Sequence, residues 1–142
     1  MKPKIQCLLI VVFIFCYSTI QASSLSKKDT ILVTYPICLH FQSVCCGVPE
    51  EKLLKTWISG FKKKYGIKKI KAIQVGPLGR EGEYDLYFTL KGLKKTTLNK
   101  FKTGIKKIVP KMVEPGMVTL EENVILNTTE LPSTITIKQI KY

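Results

Sequence analysis

The chain has 142 residues, a formal net charge of +13 and one histidine. That length suits one domain large enough to bury a core, and five cysteines, two of them inside an N-terminal apolar run, exclude a disulfide-stapled miniprotein. Residues 55–111 hold fifteen lysines and Arg80 against Glu81, Glu83 and Asp85, an excess equal to the whole formal charge. The charge is therefore concentrated in one central stretch, and its partners, if it has any, are anionic.

At the N-terminus, Lys2 and Lys4 precede an apolar run over residues 7–17, and residues 18–24 are small and polar enough to carry a cleavage site. This is the pattern of an export signal cleaved after Ala22. The run falls short of the roughly 20 residues of a membrane span, and Phe15 before Cys16 does not suit lipidation. The expected organisation is a cleavable signal over 1–22, a short linker over 23–30 and one domain over 31–142, secreted or periplasmic, with no transmembrane segment after cleavage. Cys7 and Cys16 leave with the signal, so Cys38, Cys45 and Cys46 remain.

Ile31, Val33, Tyr35, Ile37, Leu39 and Phe41 alternate with other residues at the period of a strand with one apolar face. Pro36 has no N–H for a ladder, so regular pairing is expected from Ile37 onward. Pro49, at a first helical position with Glu50 and Glu51 behind it, opens a helix carrying Leu54, Trp57, Ile58, Phe61 and Tyr65 on one stripe, and Gly66 closes it. Strand patterns over 67–75 and 83–90 flank the connection 76–82, with Tyr84, Leu86, Phe88 and Leu90 on one face of the second and Asp85, Tyr87 and Thr89 on the other. A second helix is predicted over 96–109, ended by Pro110, followed by strands over 117–126 and 134–140.

Strand, helix, strand, strand, helix, strand is the split βαβ order. The fold class expected is α+β: a ferredoxin-like βαββαβ sandwich with a four-stranded antiparallel sheet and an extra C-terminal edge strand. Both helices then cover one sheet face and leave the other free.

The pair Cys45-Cys46 falls in the loop after the first strand, at the threshold of the first helix. On this topology the region 31–126 resembles heavy-metal-associated domains, which hold a soft metal in an M-x-C-x-x-C loop at that place. Here Ser43 stands where that family has methionine, and the pair is C-C. The resemblance implies Cys45 and Cys46 as thiolate ligands for Cu(I) or another soft ion. A helix N-terminus favours thiolate, and His40 or Cys38, which share a strand face, could complete a three-ligand set. The residues leave three readings open. These are a bridge from Cys38 to Cys45 or Cys46, metal binding, and free or intermolecular thiols; a bridge between the adjacent cysteines is strained, since their Cα atoms sit ~3.8 Å apart.

No catalytic constellation is legible. His40 has no partner in the sequence that orients its ring, Glu81, Glu83 and Asp85 read as charge balance, and the glycine-rich connection lacks the ending of a phosphate loop. The chain is therefore expected to be an exported, non-catalytic binding or structural module without a cofactor. Its partner is an anionic surface or protein met through Lys62, Lys63, Lys64, Lys102, Lys106, Lys107 and Arg80, and nucleic acid is not expected outside the cell. The alternative is a periplasmic soft-metal protein using Cys45 and Cys46.

Overall fold

The computed structural model describes residues 32–142; the expected signal 1–22, the linker 23–30 and Ile31 lie outside the described residues. The elements are β1 (Leu32–Ser43), α1 (Lys52–Tyr65), β2 (Lys71–Gly76), β3 (Tyr84–Thr89), α2 (Lys95–Ile108), β4 (Gly116–Asn127) and β5 (Thr136–Lys141), with a 3-10 turn, Val109–Lys111, after α2. The strands form one antiparallel sheet in the order β4-β1-β3-β2-β5. The molecule is thus α+β with five strands and two helices, and its strand order departs from a four-stranded sheet by the strand β5, at the edge beside β2.

Both helices bury their apolar stripes on the same sheet face. Leu54, Ile58 and Phe61 of α1 and Phe101, Ile105 and Ile108 of α2 share a core with Ile37, Leu39, Phe41, Leu86 and Phe88. Phe101 is its hub, with ring centroids 5.1 Å from Trp57, 5.2 Å from Phe61 and 5.6 Å from Phe88. Burying one such ring stabilises the fold by about 1.5–3 kcal/mol, and each aromatic pair adds about 0.5–1.5 kcal/mol. The burial compensates for weak helix N-termini, because neither helix has a side-chain cap or an acidic residue in its first turn.

Helix α1 starts at Lys52, later than the expected opening at Pro49. Glu51, at the N-cap, turns its carboxylate elsewhere. It accepts from the hydroxyls of Tyr84 at 2.9 Å and Tyr142 at 3.1 Å and pairs with Lys55 at 3.3 Å. The helix entrance is thereby tied to β3 and to the last residue of the chain. At the far end Gly66 takes φ 65°, a left-handed value that glycine adopts without steric cost, and closes the helix.

Strand β1 corrects two expectations. Pairing with β4 begins at Leu32, ahead of Pro36, and skips only the position where Pro36 faces Asn123. There the pleat reverses: Ile37, Leu39 and Phe41 face the helices, whereas Val33 and Tyr35 join Cys38, Tyr87, Val124 and Leu126 on the opposite face. The physical cause lies in both strands. Proline offers no N–H, and Asn123 takes φ 57°, which asparagine tolerates better than most residues.

The opposite face is not left free. Since β4 and β5 lie at opposite edges, residues 128–135 must cross the sheet, a width of ~19 Å at ~4.8 Å per strand. Leu131 and Ile135 of this crossing pack on the second cluster.

The two glycines inside the helices differ in their surroundings. A Cβ on Gly104 would overlap Cζ2 of Trp57, whereas one on Gly60 would meet nothing within 4 Å. Gly60→Ala should therefore raise stability by about 0.5–1 kcal/mol, the helix-propensity gain. Gly104→Ala should lower it, because overpacking of about 1–3 kcal/mol exceeds that gain. Thermal unfolding of the two variants checks the opposite signs; equal shifts would contradict this packing.

Candidate functional site

The sheet face away from the helices carries a polar cluster. The register sets His40 opposite Asp85 and Cys38 opposite Tyr87 on β3, with Cys38 opposite Glu121 on β4. His40 Nδ1 lies 2.7 Å from Asp85 Oδ1, Nε2 lies 3.3 Å from Glu121 Oε2, and the Tyr87 hydroxyl donates to Asp85 Oδ2 at 3.1 Å. The ring is oriented from both sides, contrary to the sequence reading that gave it no partner. Its hydrogen bond to Asp85, followed by that with Cys38, raises His40 from 6.5 to about 10, so the ring is an imidazolium at neutral pH.

Cys38 Sγ faces the same Nδ1 at 4.0 Å and is fully buried. A cysteine–histidine–carboxylate relay needs the thiol on one ring nitrogen and the carboxylate on the other. Glu121 does stand at Nε2, but Asp85 at 2.7 Å takes the Nδ1 that the more distant Cys38 would have to use, and Cys38 is enclosed. One ligand atom each from Cys38, His40 and Asp85 lie within 4.8 Å of one another, a spacing open to a metal ion. The donors fit a proton better. Nδ1 holds one toward Asp85, burial pushes the Cys38 thiol up, and a metal would need both groups deprotonated.

Cys45 and Cys46 sit in the bend after β1, exposed, with Cys46 Sγ donating to Cys45 Sγ at 2.8 Å. That hydrogen bond raises Cys46 above the usual thiol value. The expected thiolate-favouring helix N-terminus does not act on the pair, because α1 begins only at Lys52. Cys38, Cys45 and Cys46 are free thiols in this structure, which carries neither of the bridges from Cys38 that stood among the open readings. The unbroken ladder from Cys38 to Ser43 holds the intervening chain extended, ~16 Å at ~3.3 Å per residue, and the side chain of Cys38 is enclosed in the sheet. The same ladder parts His40 from Cys45 and Cys46, so the three do not form one ligand set.

The basic residues are also regrouped. Helices α1 and α2 run antiparallel, because α1 follows β1 and α2 follows the oppositely directed β3. Lys62, Lys63 and Lys64 therefore lie at one end of the pair and Lys106 and Lys107 at the other. Lys102 bonds Glu122 at 2.8 Å and Lys106 pairs with the same carboxylate, which holds it below the usual carboxylate range. Arg80 is exposed in the connection 76–82, at the end of the sheet away from Lys62–Lys64.

Lys64 and Lys100 do converge: their Nζ atoms lie 5.7 and 5.3 Å from the centroid of the Tyr65 ring. They border a groove of about 600 Å³ between the helices, floored by Trp57, Phe61 and Tyr65, with Lys107 at its other end and no acidic residue in its lining. Lys100 escaped the sequence reading; the spacing of Asn99, Lys100, Thr103 and Lys107 along one helix face was the signal available. Among the described residues no helix is long and apolar enough to cross a membrane. Compared with protein-family models, curated proteins and solved structures, the chain matches none.

Two outcomes follow from this geometry. Alkylation of the reduced, folded protein should modify Cys45 and Cys46 and spare Cys38 until denaturant is added, as intact mass will show; rapid native modification of all three would contradict the enclosed position of Cys38. The second concerns pH. Because the folded value of His40 exceeds its unfolded one, its stabilising contribution is complete below about pH 6.5 and is lost as pH rises through about 10. Cys38 and Tyr87, both raised by burial, add to that loss only from their ordinary values of 9.0 and 10.0 upward. The urea midpoint should fall between pH 6.5 and 9 in the native sequence and stay level across that range in His40→Asn.

Proposed function

We propose that the chain is an exported, non-catalytic binding module that engages an anionic partner through the outer faces of α1 and α2. The observation that carries this reading is the groove bordered by Lys64, Lys100 and Lys107, with aromatic rings in its floor and no carboxylate in its lining. The two helices together bear ten lysines and no acidic residue, and among the described residues only Lys55, Lys102 and Lys106 of the ten pair with a carboxylate, in each case one from outside the helices. Cationic side chains gathered on one face attract polyanions over about a Debye length, ~8 Å at physiological salt. The fold is read as ferredoxin-like with β5 added, supported by the order β4-β1-β3-β2 and by two helices on one face.

A second reading, soft-metal binding, is favoured by the adjacent exposed sulfurs of Cys45 and Cys46. Those two thiols would be the ligands and Cu(I) the kind of ion that two sulfurs select. His40, held by Asp85 and Glu121, is not available to it.

The first reading predicts that Lys64→Gln, Lys100→Gln and Lys107→Gln together weaken retention on immobilised heparin at least tenfold at physiological salt. The charge-matched control Lys111→Gln, Lys138→Gln, Lys141→Gln, whose lysines are all exposed away from the groove and outside both helices, should be retained much as the native chain is. Loss of cation–π contacts should cost the first variant no more than about 1–2 kcal/mol of stability. Equal weakening in both variants would mean that net charge alone governs retention.

A further inference from the structure

The groove has features that a merely charged surface does not need. Its volume, about 600 Å³, falls in the range of small-ligand sites, roughly 300–1,000 Å³. Phe61 is buried in the floor, while Trp57 and Tyr65 keep part of their rings accessible. Eight residues separate those two on α1, placing them ~12 Å apart along the helix axis. Lys64 and Lys100 stand over Tyr65, and Lys107 lies toward the Trp57 end. Across from the rings, Asn99 and Thr103 of α2 supply neutral hydrogen-bonding groups to the lining.

Gly60 adds an independent observation. It lies inside α1 and lines the groove, and nothing within 4 Å would obstruct a Cβ there. Packing therefore gives no reason for glycine at a position where alanine makes a more stable helix. What glycine does provide is depth, since any side chain at this place would project into the groove.

We infer that this groove is a binding site for an acidic oligosaccharide, with sugar rings lying on Trp57 and Tyr65, their carboxylate or sulfate groups paired with Lys64, Lys100 and Lys107, and hydroxyls bonded by Asn99 and Thr103. Each part of the lining matches one part of such a ligand. The apolar C–H face of a sugar covers an aromatic ring, the acid groups meet ammonium ions, and the hydroxyls need donors and acceptors of the kind an amide and a hydroxyl offer. A bilayer fits less well, because the rings are recessed between two helices and a flat surface reaches only the rim. Single-stranded nucleic acid also uses stacking and positive charge, but an exported chain does not ordinarily meet it, and it enters the titration below as a competing ligand. The inference rests on the anionic-partner reading and narrows it to one ligand class.

Trp57 is the only tryptophan of the chain, so its emission reports this groove alone. Full-length mature protein is titrated with a heparin hexasaccharide, an oligothymidylate and phosphatidylglycerol vesicles at matched charge concentration, and with a neutral cellohexaose at the molar concentration of the hexasaccharide. The hexasaccharide should give a saturable emission change, at least tenfold tighter than the other three. Gly60→Leu, a strong helix former that fills the groove and removes no charge, should abolish the response while circular dichroism and thermal unfolding show an intact fold. An unchanged response in folded Gly60→Leu would overturn the proposal, as would tighter response to oligothymidylate or to vesicles. If heparin retention depends on the groove lysines while Trp57 stays silent to every sugar, the ligand class is wrong and the anionic-partner reading stands. If the native chain is retained on no polyanion, that broader reading fails first.

Discussion

The middle of strand β1, from Ile37 to Phe41, is hydrogen-bonded on both edges and covered on both faces, and the rest of the architecture is arranged around that constraint. A strand so enclosed is expected to be apolar throughout, and Ile37, Cys38, Leu39 and Phe41 are fully or almost fully buried. His40 is the exception. A charged ring in a largely covered position is costly unless its partners are close and correctly aimed. Asp85 from β3 and Glu121 from β4 provide those partners from either side, so one histidine fastens three adjacent strands. The Tyr87 hydroxyl occupies the other oxygen of Asp85, which leaves the cluster satisfied without any further group.

Covering the second face of β1 requires the chain to leave β4 at one edge and return as β5 at the other. The return then has to be held, because an edge strand with an exposed surface is weakly anchored. Tyr142 does this. Its backbone pairs with Ile70, its ring stacks on Phe88 at 6.0 Å, and its hydroxyl donates to Glu51. Glu51 accepts from Tyr84 as well, so a single carboxylate joins the entrance of α1, the start of β3 and the chain end. Use of that carboxylate between tyrosines is the reason α1 begins without a side-chain cap.

The order of elements was legible because hydrophobic period and punctuation agreed. Leu54, Ile58 and Phe61, with Gly66 behind them, define a helix by themselves, and the alternation of Tyr84, Leu86 and Phe88 defines a strand. The face reversal at Pro36 was not legible, since it depends on Asn123 from a strand eighty-odd residues away. The same holds for the polar cluster. Sequence parity placed Cys38 with His40 and Asp85 with Tyr87, yet joining the two pairs needs the β1–β3 register, which non-local packing decides. The lysine patch was misjudged for a geometric reason: runs at the C-terminal ends of two antiparallel helices lie at opposite ends of the pair, and the convergence falls on Lys100, an unremarkable residue in the sequence.

Charge is handled in opposite ways on the two sides of the sheet. On the face away from the helices the imidazolium of His40 has a carboxylate at each nitrogen, and at the helix flank Glu122 takes Lys102 and Lys106. Along the groove no carboxylate answers Lys64, Lys100 or Lys107. Glutamates at i,i+4 spacing would relieve that repulsion and add about 0.2–0.5 kcal/mol per pair, so an entirely basic pair of helices is not the arrangement that favours stability. Gly60 gives up a further helix-propensity gain at the same place. Local choices that disagree with the most stable structure tend to gather where something other than folding is served. Here two of them, one electrostatic and one conformational, meet along a single groove, whereas the half-buried cluster of His40, Asp85 and Tyr87 on the other sheet face, with its charges paired, already has a sufficient reason to exist in the fold itself.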